Sequence, residues 1–247
     1  MTQNDSAQVS LIGQRQENQD RVKVLADNGT VLLAVVDGMG GHAGGERAAE
    51  VTLESLGHQF AEADHPLLDP QGFLTLALAR AHDSVVELGE EHAMDHRPRA
   101  TCAVCLVQDG MAFWAHVGDS RVYLLRNAEV ADRTRDHSHV ELLLREGLIS
   151  EDEIKDHPMR NFVECCLGGD AALPDMSVSG VKRLVPGDTL LVCSDGFWSG
   201  LPDPVLASKL ATDEPLAERL AELAESAVQA NAPYSDNTTA AALRWQG

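Results

Sequence analysis

Two short turn signals constrain the fold of this chain more than any other feature of its sequence. Asn28-Gly29 separates a strand-like run over residues 21–26 from one over 30–36, and Asp109-Gly110 separates two further runs in the same way. Dipeptides of this kind tolerate the positive φ angles of two-residue hairpin turns, which join antiparallel strands. The sequence therefore predicts a protein built on antiparallel sheets.

Further strand-like and helix-like patterns complete the expected order of elements. Four more runs have β character: residues 120–125, 176–184, 189–193 and 238–245. Apolar side chains recur at helical spacing in three segments: residues 49–60, 74–88 and 216–227. Because no strand separates the first two helices, parallel βαβ winding is disfavoured, and the pattern predicts an α+β sandwich of antiparallel sheets with segregated helices.

Two capping sequences predict a lobe inserted at about residues 136–169. A Ser-x-x-Glu sequence begins at Ser138 and another at Ser150, and this pattern caps the first turn of a helix. With 44% hydrophobic residues among its 247, the chain can bury a substantial core. We expect one domain over residues 1–247, with the 136–169 lobe as a subdomain of it.

Charge and hydropathy exclude several classes of partner. The formal net charge of -20 argues against binding to nucleic acid or to an anionic membrane, since both require clustered Lys and Arg. No signal-peptide pattern begins the sequence, and no apolar run has the length of a membrane span. A cytoplasmic protein is predicted.

The cysteine pattern indicates buried thiols. The chain has five cysteines, an odd number that does not suggest a disulfide framework. Cys102 and Cys105 are spaced like half of a zinc site, but no second pair follows at the required distance. In a strand the two side chains would face opposite sides of the sheet.

Carboxylates beside apolar runs form the most informative chemical pattern. Asp37 follows the wholly apolar run 31–36, Asp195 follows another such run, and Asp119 and Asp236 stand beside two more. Such side chains can converge on a cleft, and carboxylate oxygens suit hard cations. Asp37 alone is as easily explained as a helix cap. The repetition at Asp195 favours a shared metal site.

Six short motifs occur in an order typical of one enzyme family. They are Arg15-x-x-Asn18-Gln19-Asp20, Asp37-Gly38-Met39-Gly40-Gly41-His42, Gly118-Asp119-Ser120-Arg121, Asp136-His137-Ser138, Ser194-Asp195-Gly196 and Asp236-Asn237. Together they resemble the metal-dependent protein phosphatases of type 2C, especially the compact bacterial members. The resemblance implies a four-layer α-β-β-α sandwich, with two antiparallel sheets between helices and two Mn²⁺ or Mg²⁺ ions in a cleft.

The resemblance also implies roles for the metal-site residues. Asp37 takes the place of the carboxylate that bridges both metals, and Gly38 that of the residue lending its carbonyl oxygen to one. Asp195 and Asp236 would complete the shell of the other metal. Asp20 would bind the second metal, partly through water.

Arg15 and Asp119 match positions nearer the substrate. Arg15 stands where the family has an arginine that holds the substrate phosphate, and Asp119 where bacterial relatives bind a third, weaker metal. Met39 replaces a histidine proposed as the general acid in eukaryotic relatives. We therefore expect the leaving-group proton to come from water, with His42 a more distant candidate.

The family function is hydrolysis of phosphoserine and phosphothreonine in proteins by a hydroxide that bridges the two metals. The implied partners are phosphorylated proteins and a bacterial eukaryotic-type Ser/Thr kinase whose action the enzyme reverses. Two alternatives stay open on the sequence. One is a non-catalytic phosphoprotein-binding domain of the same fold, and the other is a small-molecule phosphomonoesterase.

Gln19 is expected to adjust metal affinity, and three further histidines are expected to have structural roles. Gln19 stands where many relatives have glutamate, which predicts altered metal affinity without loss of activity. His116 is expected to be structural, because it alternates with apolar neighbours. His137 and His139 flank the capping Ser138 and are interpreted as part of the inserted lobe.

Overall fold

A computed structural model describes residues 5–39, 43–154 and 156–247 of the chain. Its strands in these ranges are β1 (Asp5–Leu11), β2 (Asp20–Asp27), β3 (Thr30–Met39), β4 (Arg99–Gln108), β5 (Met111–Val117), β6 (Arg121–Arg126), β7 (Glu129–Arg133), β8 (Leu167–Gly168), β9 (Ser177–Val178), β10 (Lys182–Arg183), β11 (Thr189–Cys193) and β12 (Thr238–Arg244). The α-helices are α1 (Ala43–Glu62), α2 (Pro70–Gly89), α3 (His139–Arg145), α4 (Glu151–Ile154), α5 (Asp195–Trp198), α6 (Asp203–Leu210) and α7 (Leu216–Ala230).

The strands form two antiparallel sheets. One sheet has the order β1-β12-β11-β6-β7; the other has the order β10-β5-β4-β3-β2, with β8 beside β4 and β9 beside β5. The turn residues Asn28 and Asp109 have φ angles of 41° and 52°, and each is followed by a glycine with positive φ. Both hairpins are therefore confirmed, as is the prediction of antiparallel sheets.

Three apolar layers separate four layers of secondary structure. In β3, Leu32 and Val36 pack toward α1 and α2, whereas Leu33 and Val35 pack toward the other sheet. The second sheet covers its outer face with α6 and α7. Burial on both faces explains why β3 is an unbroken apolar run. The predicted four-layer α-β-β-α sandwich is confirmed.

Some elements differ from the sequence prediction. Strand β1 lies at a sheet edge and was not predicted, although Ala7, Val9 and Leu11 alternate with polar residues and pack on the core beneath α6 and α7. The expected strand over 176–184 is two short strands, β9 and β10, with Gly180 between them. Ser179 nevertheless bonds to the main chain of Trp114 in β5, so this whole segment follows the sheet edge.

The 136–169 segment begins its helices at the predicted capping residues. Ser138 Oγ accepts the backbone N–H of Glu141, and the N–H and Oγ–H of Ser150 both donate to Glu153. Backbone bonds join the ends of the segment to each other and to the sheet, from the His137 N–H to the Gly118 oxygen and from the Glu164 N–H to the His137 oxygen. That the segment is a subdomain of one domain stays a prediction.

The cysteines agree with the thiol interpretation. Cys102 faces the helices and Cys105 faces the other sheet, and both are buried. All five cysteines are free. In the described ranges no helix is both long enough and apolar enough to cross a membrane.

Candidate active site

Strands β2 and β3 bring the first two candidate ligands to one sheet edge. Asp20 and Asp37 are direct cross-strand partners in the antiparallel register. Beyond Asp37 the chain passes very close to the start of α1, because a Cβ atom at Gly38 would lie 2.0 Å from the Gly45 carbonyl oxygen. Only glycine fits there. The strand end and the helix start therefore hold the Asp37 region in place.

The second sheet supplies two more carboxylates from neighbouring strands. Asp195 is the first residue of α5, directly after β11, and Asp236 precedes β12, which pairs with β11. A Cβ at Gly196 would lie 2.1 Å from the Asn237 carbonyl oxygen, so α5 packs directly on the segment that carries Asp236.

These strand ends surround a cleft of about 600 Å³. Most of the predicted site residues line it: Arg15, Asp37, Gly38, Asp119, Asp195 and Asp236. Asn161 and Val163 line the cleft from the 136–169 segment, and Met39 lies beside Gly38. The structure thus brings together, from distant parts of the sequence, the groups that the motifs singled out.

Asp20 is placed differently from the other candidates. It is buried behind the cleft, where its Oδ2 accepts a 2.7 Å hydrogen bond from Ser194 Oγ. This contact joins the β2 end to the segment before α5. Asp20 is not among the residues that line the cleft, and its role toward a second metal stays a prediction.

Burial and mutual repulsion raise the pKa values of the carboxylates. Burial is the largest cause at each residue, and it raises the pKa of Asp20 to about 6 and that of Asp119 to about 7. The pKa values of Asp37 and Asp195 lie well above the usual range, with neighbouring carboxylates as the next cause. A divalent cation would relieve this repulsion.

The donor set fits hard divalent cations. Asp195 Oδ1 is buried without a hydrogen-bond partner in the described part of the chain, and the cleft offers further carboxylate oxygens and the Gly38 carbonyl. Oxygen ligands suit Mg²⁺ and Mn²⁺. Among the described residues, however, no three Asp, Glu, His or Cys side chains converge into a formed coordination sphere. The carboxylates share a cleft, and cation binding would have to draw them closer together.

Arg15 lies on the rim of the cleft. Its Nη2 donates to Asp236 Oδ2 at 2.5 Å, and both side chains are well exposed. An exposed ion pair of this kind contributes little to stability. The guanidinium is therefore positioned beside the carboxylates without being committed to a buried structural contact.

Asn237 has a role that the sequence analysis did not assign. Its Oδ1 accepts the Gln19 N–H at 2.8 Å, and its Nδ2 donates to the carbonyl oxygens of Ile12 and Glu17 at 2.9 and 3.0 Å. Asn237 thus fixes the loop that carries Arg15. Its place in the Asp236-Asn237 motif was the available signal.

The histidines occupy structural positions. His116 is buried, its Nε2 bonds to the Arg135 carbonyl oxygen at 2.7 Å, and its ring stacks on His137. This agrees with the structural role expected for His116. His139 bonds to Glu164 within the inserted segment. The more distant candidate acid, His42, lies outside the described residues.

Comparison with known proteins identifies the family. The model of a family described as protein phosphatase 2C matches residues 7–238. The chain belongs to this family, whose members are metal-dependent.

Individual relatives match nearly the whole chain. The protein phosphatase PhpP of Streptococcus pneumoniae is 31% identical over 234 residues, which are 93% of this chain and 93% of PhpP. The solved structure of the S. agalactiae serine/threonine phosphatase superposes with a TM-score of 0.90 at 29% identity, over 99% of this chain and 100% of that one.

A third relative is longer than this chain. The serine/threonine protein phosphatase PstP of Mycobacterium tuberculosis is 33% identical over 240 residues, 94% of this chain but 45% of PstP. A structure of the PstP catalytic domain in complex with two manganese ions has a TM-score of 0.82 at 28% identity and covers 99% of each chain.

Proposed function

We propose that this protein hydrolyses phosphoserine and phosphothreonine in proteins and requires Mn²⁺ or Mg²⁺. The observation that carries the proposal is the convergence of Asp37, Asp195 and Asp236 with Arg15 in one cleft. The names of PhpP and PstP support the reaction, and the two manganese ions bound to the PstP domain support the cofactor.

Two core cations would be held by groups from both sheets. Asp37 would contact both ions, the Gly38 carbonyl one of them, and Asp195 and Asp236 the other, with Asp20 behind the site. Asp119 would contribute to a third, weaker site. When bound, the cations would neutralise phosphoryl charge and lower the pKa of bound water enough to provide a nucleophile at neutral pH.

The residues of the chain orient the substrate. Arg15 presents paired N–H donors that match two oxygens of a phosphate monoester, and Asn237 holds the Arg15 loop against the cleft. This fixes the phosphate for in-line attack. Met39 lines the cleft and has no transferable proton, so the departing Ser or Thr oxygen takes its proton from cleft water.

The proposed substrates are phosphorylated proteins, and the proposed counterpart is a eukaryotic-type Ser/Thr kinase. With a net charge of -20, the protein would repel a phosphate group without bound cations. Arg15 and the cations together would therefore decide whether a phosphorylated side chain enters. A cytoplasmic location also stays a prediction.

The test compares three substrates with metal-stripped protein titrated with Mn²⁺: a phosphothreonine peptide, an aryl phosphate and a sugar phosphate. We expect saturable, Mn²⁺-dependent phosphate release from the peptide and the aryl phosphate, and much slower release from the sugar phosphate. Turnover that survives EDTA would contradict the proposal. Peptide binding without turnover would favour the binding-domain alternative, and preference for the sugar phosphate would favour the metabolite phosphatase.

A further inference from the structure

One hydrogen bond joins two parts of the acidic cleft that are far apart in sequence. The indole Nε1–H of Trp198 donates to the main-chain oxygen of Asp119 at 2.9 Å. Trp198 is the last residue of α5, and Asp195 is the first. The short helix therefore links the backbone at one candidate ligand to the backbone at another.

The indole is itself held in a defined orientation. The guanidinium carbon of Arg121 lies 3.4 Å from the centre of the Trp198 ring, a cation–π contact. Arg121 in turn donates two hydrogen bonds to Asp136, at 2.8 and 2.7 Å, and one to the Tyr123 hydroxyl at 3.0 Å. A bidentate pair fixes the guanidinium plane, so the ring packed on it is also fixed.

The indole contact acts on the backbone of Asp119 and not on its side chain. Asp119 and Asp195 both line the cleft, and the Trp198 bond ties the main chain of the first to the helix that begins with the second. Because the bond uses the Asp119 carbonyl oxygen, the indole occupies neither carboxylate oxygen of that residue.

We propose that Trp198 is a positioning residue that holds Asp119 beside Asp195, with Arg121 fixing the indole. Through this contact Trp198 sets the affinity of the weakest cation site, the one to which Asp119 contributes. The effect on affinity rests on the proposed function, because it presumes cations in the cleft. The positioning itself does not, because the bond lies between protein atoms.

The variant Trp198→Phe tests this, since phenylalanine removes the indole donor and keeps an aromatic ring, although a smaller one, for Arg121. The matched control is Trp114→Phe. Trp114 is more deeply buried than the partly buried Trp198 and also has a cation near its ring, the Lys182 Nζ at 5.4 Å, but it lies in β5 and is not among the residues lining the cleft.

Mn²⁺ binding to metal-stripped protein is measured by calorimetry and electron paramagnetic resonance. Loss of one hydrogen bond predicts about fivefold to tenfold weaker binding at the weakest site in Trp198→Phe. Binding at the tighter sites should change by less than about twofold, and Trp114→Phe should match the wild type. Equal isotherms for both variants would overturn the proposal.

A double-mutant cycle separates positioning from general damage. If Trp198 acts through Asp119, then Trp198→Phe should not weaken Mn²⁺ binding further in an Asp119→Asn background. The same loss in both backgrounds would show that Trp198 acts elsewhere, and would overturn the proposal.

Amide hydrogen exchange of the metal-free protein tests the positioning role of Trp198 separately from the proposed metal-dependent function. Residues 118–121 should exchange several-fold faster in Trp198→Phe than in Trp114→Phe. A wild type that binds no Mn²⁺ would defeat the proposed function, while faster exchange in Trp198→Phe would still support the positioning role. Unchanged exchange at these residues would overturn it.

Discussion

Two Arg–Asp pairs, of which only Arg15–Asp236 lines the cleft, differ in almost every physical respect. Arg15 and Asp236 make a single 2.5 Å contact on the rim, with side chains 57% and 37% exposed. Arg121 and Asp136 make two bonds below the surface, with side chains 12% and 7% exposed. The same residue types thus serve two purposes: the buried pair fixes the architecture, and the rim pair leaves an arginine that a ligand can recruit.

The largest expected effect comes from breaking the buried pair. Asp136→Ala leaves the Arg121 guanidinium without its charge partner, which should cost about 3 to 5 kcal/mol of the free energy of unfolding. Asp236→Ala, the matched change in the rim pair, should cost less than about 1 kcal/mol in metal-free protein. Urea unfolding measures both, and similar losses in the two variants would remove the distinction between the pairs.

The rim pair should affect the reaction instead. Arg15→Ala should raise KM for a phosphothreonine peptide, because a charge-assisted contact to phosphate is worth about 1.5 to 3 kcal/mol. Its stability should change by less than about 0.5 kcal/mol. Steady-state kinetics and thermal unfolding of one preparation test both statements. An unchanged KM would remove Arg15 from substrate binding.

The buried carboxylates of Asp20 and Asp119 should show an effect that depends on pH. The pKa values of Asp20 and Asp119 are raised to about 6 and 7, so the folded metal-free protein binds protons that the unfolded chain has released. Its stability should therefore be greatest below about pH 4 for these groups and decline as pH rises through 6 to 7.

Thermal unfolding between pH 5 and pH 8, with EDTA and with Mn²⁺, tests the direction of this pH dependence of stability. We expect the metal-free protein to lose stability across the range, and Mn²⁺ to restore it most at the alkaline end. A metal-free protein that gains stability over the same range would contradict the burial of these carboxylates.

Much of the fold and of the site could be predicted because the relevant signals are local. The hairpins follow from Asn28-Gly29 and Asp109-Gly110, whose residues tolerate positive φ. Asp37 and Asp195 could be found because each follows the apolar part of a strand that is buried on both faces. Strand β1 was missed, although Ala7, Val9 and Leu11 alternate with polar residues; the run is short, and only Ala7 of it is fully buried.

The contacts that were not predicted depend on long-range packing. Arg15 and Asp236 are 221 positions apart, and Trp198 and Asp119 are 79 apart, so nothing local in the sequence indicates either contact. The burial of Asp20 behind the cleft follows from its cross-strand register and from Ser194 on the other sheet. Motif order predicted which residues gather, and the packing of the two sheets decides how they are arranged.

We propose that carboxylates from both sheets form one cation-dependent catalytic site, with Asp37 as the residue shared by its cations. The most direct test measures Mn²⁺ binding and phosphothreonine-peptide turnover in Asp37→Asn beside the wild type. We expect the variant to stay folded, to bind Mn²⁺ much more weakly and to show no turnover at any Mn²⁺ concentration. Wild-type turnover by Asp37→Asn would contradict it.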